Sequence, residues 1–375
     1  MRKTATFDLI LHGGKAPPWL VSRMKKLGKA ILRIIIEEYG RVELLRRLSD
    51  PLWFQALSYV LGYDWNSSGV TTVMTGVLRE ILTPDMGIML AGGKGKRSLQ
   101  TPEDIRRIGE VFGFSESKIN ELIKASRLAA KVDNAVLQDG YSLYHHAMLI
   151  ARDGLWAVIQ QGMNVENKTA RRYHWLSEKV KSFVIEPHEG IIGEIKLPFV
   201  LDMTSKRSLE AQKISVDLVN EGLSRIKNDI AKLIRISKGI PSLMSFVDRN
   251  AEEERLLPSI KIKILGNIRV DWNALKKAYE LSPKDYQELI SIKGIGPGTI
   301  RALALIAELI YRAEVSWRDP LRYTFAVGGK DRVPYPVNIK RMEILSDILE
   351  DALREAKLGR KEKLMVLRRL SRLLS

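Results

Sequence analysis

The chain has 375 residues, with 61 Lys and Arg against 44 Asp and Glu, a formal charge of +17 and a pI near 9.8. Hydrophobic residues make up 45%, enough for folded cores, so the surplus of positive charge points to a polyanionic partner rather than to a solvated tail. Cysteine is absent, which excludes disulfides, thiolate metal sites and cysteine nucleophiles. No apolar run reaches membrane-spanning length and the charged start does not read as a secretion signal. A cytoplasmic, nucleoid-associated protein with no membrane partner is therefore expected. Abundant Ile, Leu, Arg, Lys and Glu fit a thermophilic source.

Residues 17–40 place Leu20, Met24, Leu27, Ile31 and Ile34 at helical spacing, and a second helix spans 43–48, ended by Pro51. A third helix covers 68–82 and a short strand 86–91, which runs into the loop 92–97. Thr101-Pro102-Glu103-Asp104 reads as a helix start, with a hydroxyl cap, an early proline and acids in the first turn. Another helix runs over 115–133. Segments 141–151 and 155–163 form a hairpin about Asp153-Gly154 as a two-residue turn. That register sets Ala151 against Trp156 and His146 against Gln161. A helix is expected over 169–181, loop and short strand over 186–201, and one long amphipathic helix over 208–236. Segment 258–270 is a strand or linker, followed by helices over 271–280, 282–292, 297–312, 338–356 and 360–374. The fold class is α+β. A mixed N-terminal domain with a small antiparallel sheet (1–203) leads through a helical connector (204–260) to a mostly helical domain (261–375).

The most specific motif lies between the helices at 282–292 and 297–312. Gly294 and Gly296 let the backbone turn tightly, Ile295 plugs between the helices, and Pro297 occupies a first helical turn. The amides at the start of the second helix then form an anion site. Segment 282–312 resembles the helix–hairpin–helix family of sequence-independent DNA-binding motifs, departing from it at Lys293, where proline is commoner, and at Ile300. The resemblance implies that Lys293, Gly294, Gly296, Gly298, Thr299 and Arg301 meet a DNA phosphate, with a monovalent cation bound there in many members. Gly-Gly-Lys occurs at 13–15, 92–94 and 328–330. The middle copy, extended through Lys94, Lys96 and Arg97, is the best second DNA contact, and Arg171 and Arg172 are further candidates for DNA contact that could equally clamp phosphate or pair with acids. No P-loop pattern is present, so a nucleotide cofactor is not expected. The C-terminal stretch from Arg354 to Arg372 is basic along an amphipathic helix.

All five histidines, His12, His145, His146, His174 and His188, lie in the first half, with Asp133, Asp139, Gln160 and Gln161 near them in sequence. A sheet end bearing Asp, His and Gln is one way in which metal-dependent nucleases activate water. Asp139, His145, His146, Gln161 and His174 are the candidate catalytic residues. Asp139 and His146 are the candidate ligands of a divalent metal, magnesium or manganese.

Residues 11–20, 64–69, 138–146, 160–163 and 170–175 together resemble the family known as domain of unknown function 763, over essentially the whole chain. That resemblance implies lineage without a settled chemistry. The expected function is a DNA repair or processing protein, a metal-dependent structure-specific nuclease positioned by the helix–hairpin–helix. The alternatives are a non-enzymatic DNA-binding adaptor and, third, a base-excision glycosylase with Asp319 as its acid.

Overall fold

The computed structural model describes residues 16, 18–63, 69–237 and 268–324. The expectations for His12, the Gly-Gly-Lys copies at 13–15 and 328–330, residues 64–68, most of segment 258–270 and the helices beyond 338 lie outside these residues.

Helices α1 (Pro18–Ser49), α2 (Pro51–Val60) and α3 (Gly69–Ile81) come first. α1 bends at Gly40, which has φ 82. α1 ends at Ser49, just ahead of Pro51 as expected, but Pro51 does more than stop a helix. It opens α2 behind the Asp50 cap, whose carboxylate accepts the Leu52 and Trp53 amides. Strand β1 (Ile88–Lys94) precedes α4 (Thr101–Phe112) and α5 (Glu116–Lys131), and one π-helical turn, Val132–Val136, follows α5. Strands β2 (Leu137–Gln138), β3 (Ser142–Ala151), β4 (Trp156–Asn164), β5 (Thr169–Leu176), β6 (Gly190–Gly193) and β7 (Leu201–Asp202) lead to α6 (Leu209–Glu221) and α7 (Leu223–Ser237). The last described elements are α8 (Trp272–Leu281), α9 (Tyr286–Ser291), α10 (Pro297–Leu309) and β8 (Tyr323–Thr324).

The main sheet runs β1-β3-β4-β5-β6-β8, antiparallel except for the parallel β6–β8 pair, and β2 pairs separately with β7. The chain is α+β, as expected. Residues alternate between two buried faces. Ile88, Leu90, Leu149, Ile159 and Leu176 pack with α1–α3, whereas Met148, Ile150, Val158 and Trp175 share a core with α4–α10. The sheet is therefore a middle layer, with helices on both sides.

Three expectations need correction. The segment 169–181 is not a helix; it begins as β5, whose eight residues are all buried. The hairpin closes through three residues, because the Ala151 amide bonds the Leu155 carbonyl and Gly154 takes φ 85. The register consequently shifts by one, setting His146 opposite Gln160 and His145 opposite Gln161. The helix expected over 208–236 is two, broken at Gly222 with φ 109. The helical C-terminal part is also continuous with the sheet. β8 adds to its edge, and one hydrophobic cluster runs from Ala91 through Val315.

Candidate functional site

The turn between α9 and α10 is built by local chemistry. Asp285 caps α9, its carboxylate accepting the Glu288 amide at 2.7 Å, and Ile295 is fully buried between the helices. Gly294 adopts φ 97, and a Cβ there would meet the Ala274 Cβ at 2.7 Å. Gly296 caps α10 with its backbone alone, and the nearest atom to a Cβ at that position is 3.7 Å away. Lys293 and Gly294 are exposed beside this uncapped helix start. The geometry leaves amides open to an anion, with room for it to approach. Gly298 serves packing instead, since a Cβ there would come within 2.1 Å of the Arg269 carbonyl oxygen. The Thr299 side chain is buried and accepts the Asp271 amide, and Arg301 reaches Gln138 at 2.9 Å. Lys293, Gly294 and Gly296 thus face solvent, whereas the side chains of Thr299 and Arg301 tie the turn to its surroundings.

The loop after β1 is the second basic surface. Gly92 takes φ 83 because a Cβ would press on the His146 carbonyl oxygen at 2.4 Å. Asp104, buried, accepts the Gly92 amide at 3.0 Å and Arg79 at 2.9 Å, which fixes the loop's root. Lys94, Lys96 and Arg97 are exposed, and none is in an ion pair among the described residues.

Arg171 and Arg172 do not share that role. Both are fully buried, so the expectation that they contact DNA is corrected. Arg171 bonds both oxygens of Asp319, at 3.1 and 2.8 Å, and reaches Asp139 at 3.0 Å. Burial opposes its charge, but the two aspartates outweigh it and hold its pKa above the ordinary value. Arg172 lies over the Phe54 ring, with Gln55, Thr71 and the Pro51 carbonyl as hydrogen-bond partners. With no carboxylate beside it among the described residues, burial pushes its pKa down to about 9. Asp319 also accepts the Leu197 and Leu321 amides, which leaves it no freedom to act as a glycosylase acid.

The expected catalytic set is divided between the faces. His145 lies on the α3 side with Thr75 at 3.1 Å, and Gln161 joins Thr71 and Tyr144 there. His174 is buried edge-on to Phe54 on the same side. His146 and Asp139 belong to the other side. Burial depresses the pKa of all three histidines, His145 to about 3, so each is neutral in the fold. Asp139 accepts Arg171, the Tyr173 hydroxyl at 2.7 Å and the Tyr141 amide, while both ring nitrogens of His146 are engaged. Asp139 and His146 are therefore not free metal ligands, and no group of three or more metal-ligating side chains occurs among the described residues.

A hydrogen-bond chain that sequence reasoning did not assemble crosses this side of the sheet. The Ser126 hydroxyl donates to His146 Nε2 at 2.8 Å, and His146 Nδ1–H donates to Gln160 Oε1 at 2.8 Å. Gln160 Nε2 donates to Asp133 Oδ2 at 2.5 Å, and His188 Nε2 lies 2.5 Å from Asp133 Oδ1. The Trp175 indole also donates to Asp133, at 2.9 Å. Asp133 sits on the π-helical turn, a local widening of the helix that re-aims a side chain. Each end of the chain opens to a cavity. One, of about 250 Å³, includes Ser126, Tyr144 and His146; the other, of about 260 Å³, includes His188, Asp202 and Arg318. In the sequence, His146, His188, Asp133 and Gln160 stand out only as polar residues near one another, with nothing to show that they connect.

Fold and site define a three-layer α+β protein with an exposed glycine turn at a helix start and a buried polar relay. The chain belongs to the family described as protein of unknown function (DUF763), whose model matches residues 5–337. No curated protein and no solved structure gives a match.

Proposed function

We propose that this protein binds DNA through the 282–312 helix–hairpin–helix and the basic loop Lys94–Arg97, and that it acts in DNA repair or processing. The observation that carries the reading is the glycine turn about buried Ile295, with Gly294 exposed, Gly296 partly so, no side-chain cap on the 13-residue helix behind it and Lys293 alongside. Backbone amides at a helix start bind phosphate without reading bases, which suits a sequence-independent grip. A monovalent cation between the turn and the phosphate belongs to the same proposal. So does a nuclease activity assisted by magnesium or manganese, with its ligands drawn from groups other than the Asp139–His146 pair. A second reading, a non-enzymatic adaptor, is favoured by one observation: His145, His146 and His174 are buried and neutral, as histidines that only hold a fold together are.

A Cβ at Gly296 meets no atom closer than 3.7 Å, so Gly296→Val should keep the circular dichroism spectrum while lowering duplex affinity by about tenfold or more, as expected when amides lose a phosphate. Gly298→Ala, in contrast, should destabilise the fold through the Arg269 carbonyl. Unchanged anisotropy of labelled duplex with Gly296→Val at fixed salt would remove the grip.

The charge makes its own prediction. If some five phosphates are neutralised, the log–log plot of affinity against salt should have a slope of magnitude about 4 or more. A flat titration would mean that the +17 charge is idle toward nucleic acid.

A further inference from the structure

The cavity at the His188 end of the relay has the composition of a phosphate-ester site. Arg207, Arg318 and Arg322 line it together with Thr204, Asp202 and His188. Its acids are already engaged. Asp319 is held by Arg171 and two backbone amides, Asp202 by the Thr204 amide and hydroxyl, and Glu186 by Lys206. Two of its three arginines are not paired with any acid among the described residues. Arg318 has no ion pair among the described residues, Arg322 reaches only the Glu189 carbonyl at 3.3 Å, and Arg207 pairs with Glu314 where both are more than half exposed. The cavity therefore presents unspent guanidinium groups, which bind phosphate oxygens through paired hydrogen bonds.

His188 is held as an acid–base residue needs to be. Its Nε2 is anchored on Asp133, whose side chain is fully buried and whose other oxygen takes two further hydrogen bonds, from Gln160 and Trp175. A carboxylate so fixed orients the ring, selects the tautomer protonated on Nε2 and stabilises an imidazolium when one forms. The other ring nitrogen, Nδ1, has no partner among the described residues. A histidine that merely fills a core would not line an open cleft with its second nitrogen unspent.

We propose that this cleft binds a phosphodiester and hydrolyses it with His188 as general base and Asp133 as the positioning residue. His188 Nδ1 removes a proton from water, and the water oxygen attacks phosphorus. The P–O bond to the ester oxygen breaks, and the proton on His188 passes to that leaving oxygen. One water is consumed, giving a phosphomonoester and a free hydroxyl. Arg318 and Arg322 offset charge on the non-bridging oxygens. The proposal rests on the DNA reading for the identity of the natural polymer, but the cleft's chemistry does not.

The test uses the full chain and the p-nitrophenyl ester of thymidine 5′-phosphate, with and without magnesium, and follows nitrophenolate release. The wild type should turn it over, and inorganic phosphate should inhibit competitively. His188→Gln should lower kcat by about 100-fold or more, the usual scale for a lost general base. Arg318→Met, at an exposed position that threatens no packing, should raise KM and weaken phosphate inhibition by about tenfold, the scale of one charged hydrogen bond. Asp133→Asn should lower kcat with little change in KM. Ester cleavage without duplex binding by the wild type would sink the DNA reading and keep the cleft. No turnover with either metal condition and no phosphate binding by calorimetry would overturn the cleft, as would full activity in a folded His188→Gln.

Discussion

Arg171→Met should lower the free energy of unfolding by about 3–5 kcal/mol, because it leaves two buried carboxylates without their cation. Arg171 is fully buried, as are the side chains of Asp139 and Asp319, and it joins the sheet to the loop after β2 and to the segment after α10. Methionine fills much of the volume but donates nothing to either acid. The measurement is the urea midpoint at constant slope, read against a surface control. Arg46 makes two 2.7 Å bonds to Glu178, yet its side chain is 51% exposed, so Arg46→Ala should cost under about 1 kcal/mol. Equal costs for the two substitutions would show that burial does not set the worth of the Arg171 network. The result also bears on architecture, since Arg171 bonds across 148 residues to Asp319. Its loss should unfold sheet and C-terminal helices in one transition rather than two.

That bond is one of the things a single sequence does not display. Helix starts were legible because their signals are local: Ser115 caps α5, and α4 begins at Thr101-Pro102, although the Thr101 hydroxyl donates to the Ser98 carbonyl and does not cap the helix. The α+β class and the hairpin were legible too, through the alternation in 142–151 and the Asp-Gly turn. The helix assigned over 169–181 failed for a physical reason. Both faces of β5 are buried, so no polar–apolar alternation marks it, and Arg171 and Arg172, taken as phosphate contacts, are the charged interior of the sheet. The register slipped by one because the turn uses Arg152 as well as Asp153 and Gly154, and a one-residue slip exchanges every facing pair. Pro51 was rightly read as a stop, since α1 ends at Ser49, but the start of α2 at the same proline was missed because it depends on the Asp50 carboxylate capping the following amides.

The candidate site was legible in its parts and not in its connections. The Gly294–Gly296 turn is contiguous, so its glycines could be reasoned about one by one, although Gly298 answers to Arg269, which lies 29 positions earlier in the chain. The polar relay is different. His146 and Gln160 meet across a hairpin whose register was off by one, and His188 meets Asp133 across 55 residues. Residue type alone marked both histidines as noteworthy. It could not separate a ring with two satisfied nitrogens, as in His146, from one with a nitrogen facing a cleft, as in His188.

Acid should unfold this protein well above the pH at which ordinary carboxylates titrate. Burial depresses the pKa of His145 from 6.5 to about 3, and it also lowers those of His146 and His174. A group whose folded pKa lies below its unfolded value contributes stability that is present above the unfolded pKa and is lost as pH falls toward the folded one. For these histidines the loss begins near pH 6.5 and for His145 continues to about 3. Burial acts in the opposite sense on Asp139 and Asp202, whose raised pKa values favour the folded state as pH falls. Three groups against two leave a net uptake of about one to three protons on unfolding, or about 1.4–4 kcal/mol per pH unit. Between pH 6.5 and 4.5 that amounts to a large part of the 5–15 kcal/mol that typically holds a folded protein together. The check is the urea midpoint measured from pH 8 to 4.5, which should hold steady above pH 7 and fall steeply below 6. His174→Leu, replacing a ring packed against Phe54, should reduce the pH dependence by about one proton, whatever it does to stability at pH 8. A midpoint that stays level from pH 7 to 5 would mean that the histidines are not neutral in the folded protein. The relay drawn from Ser126 through His146 to Asp133 would then carry its protons in a different arrangement.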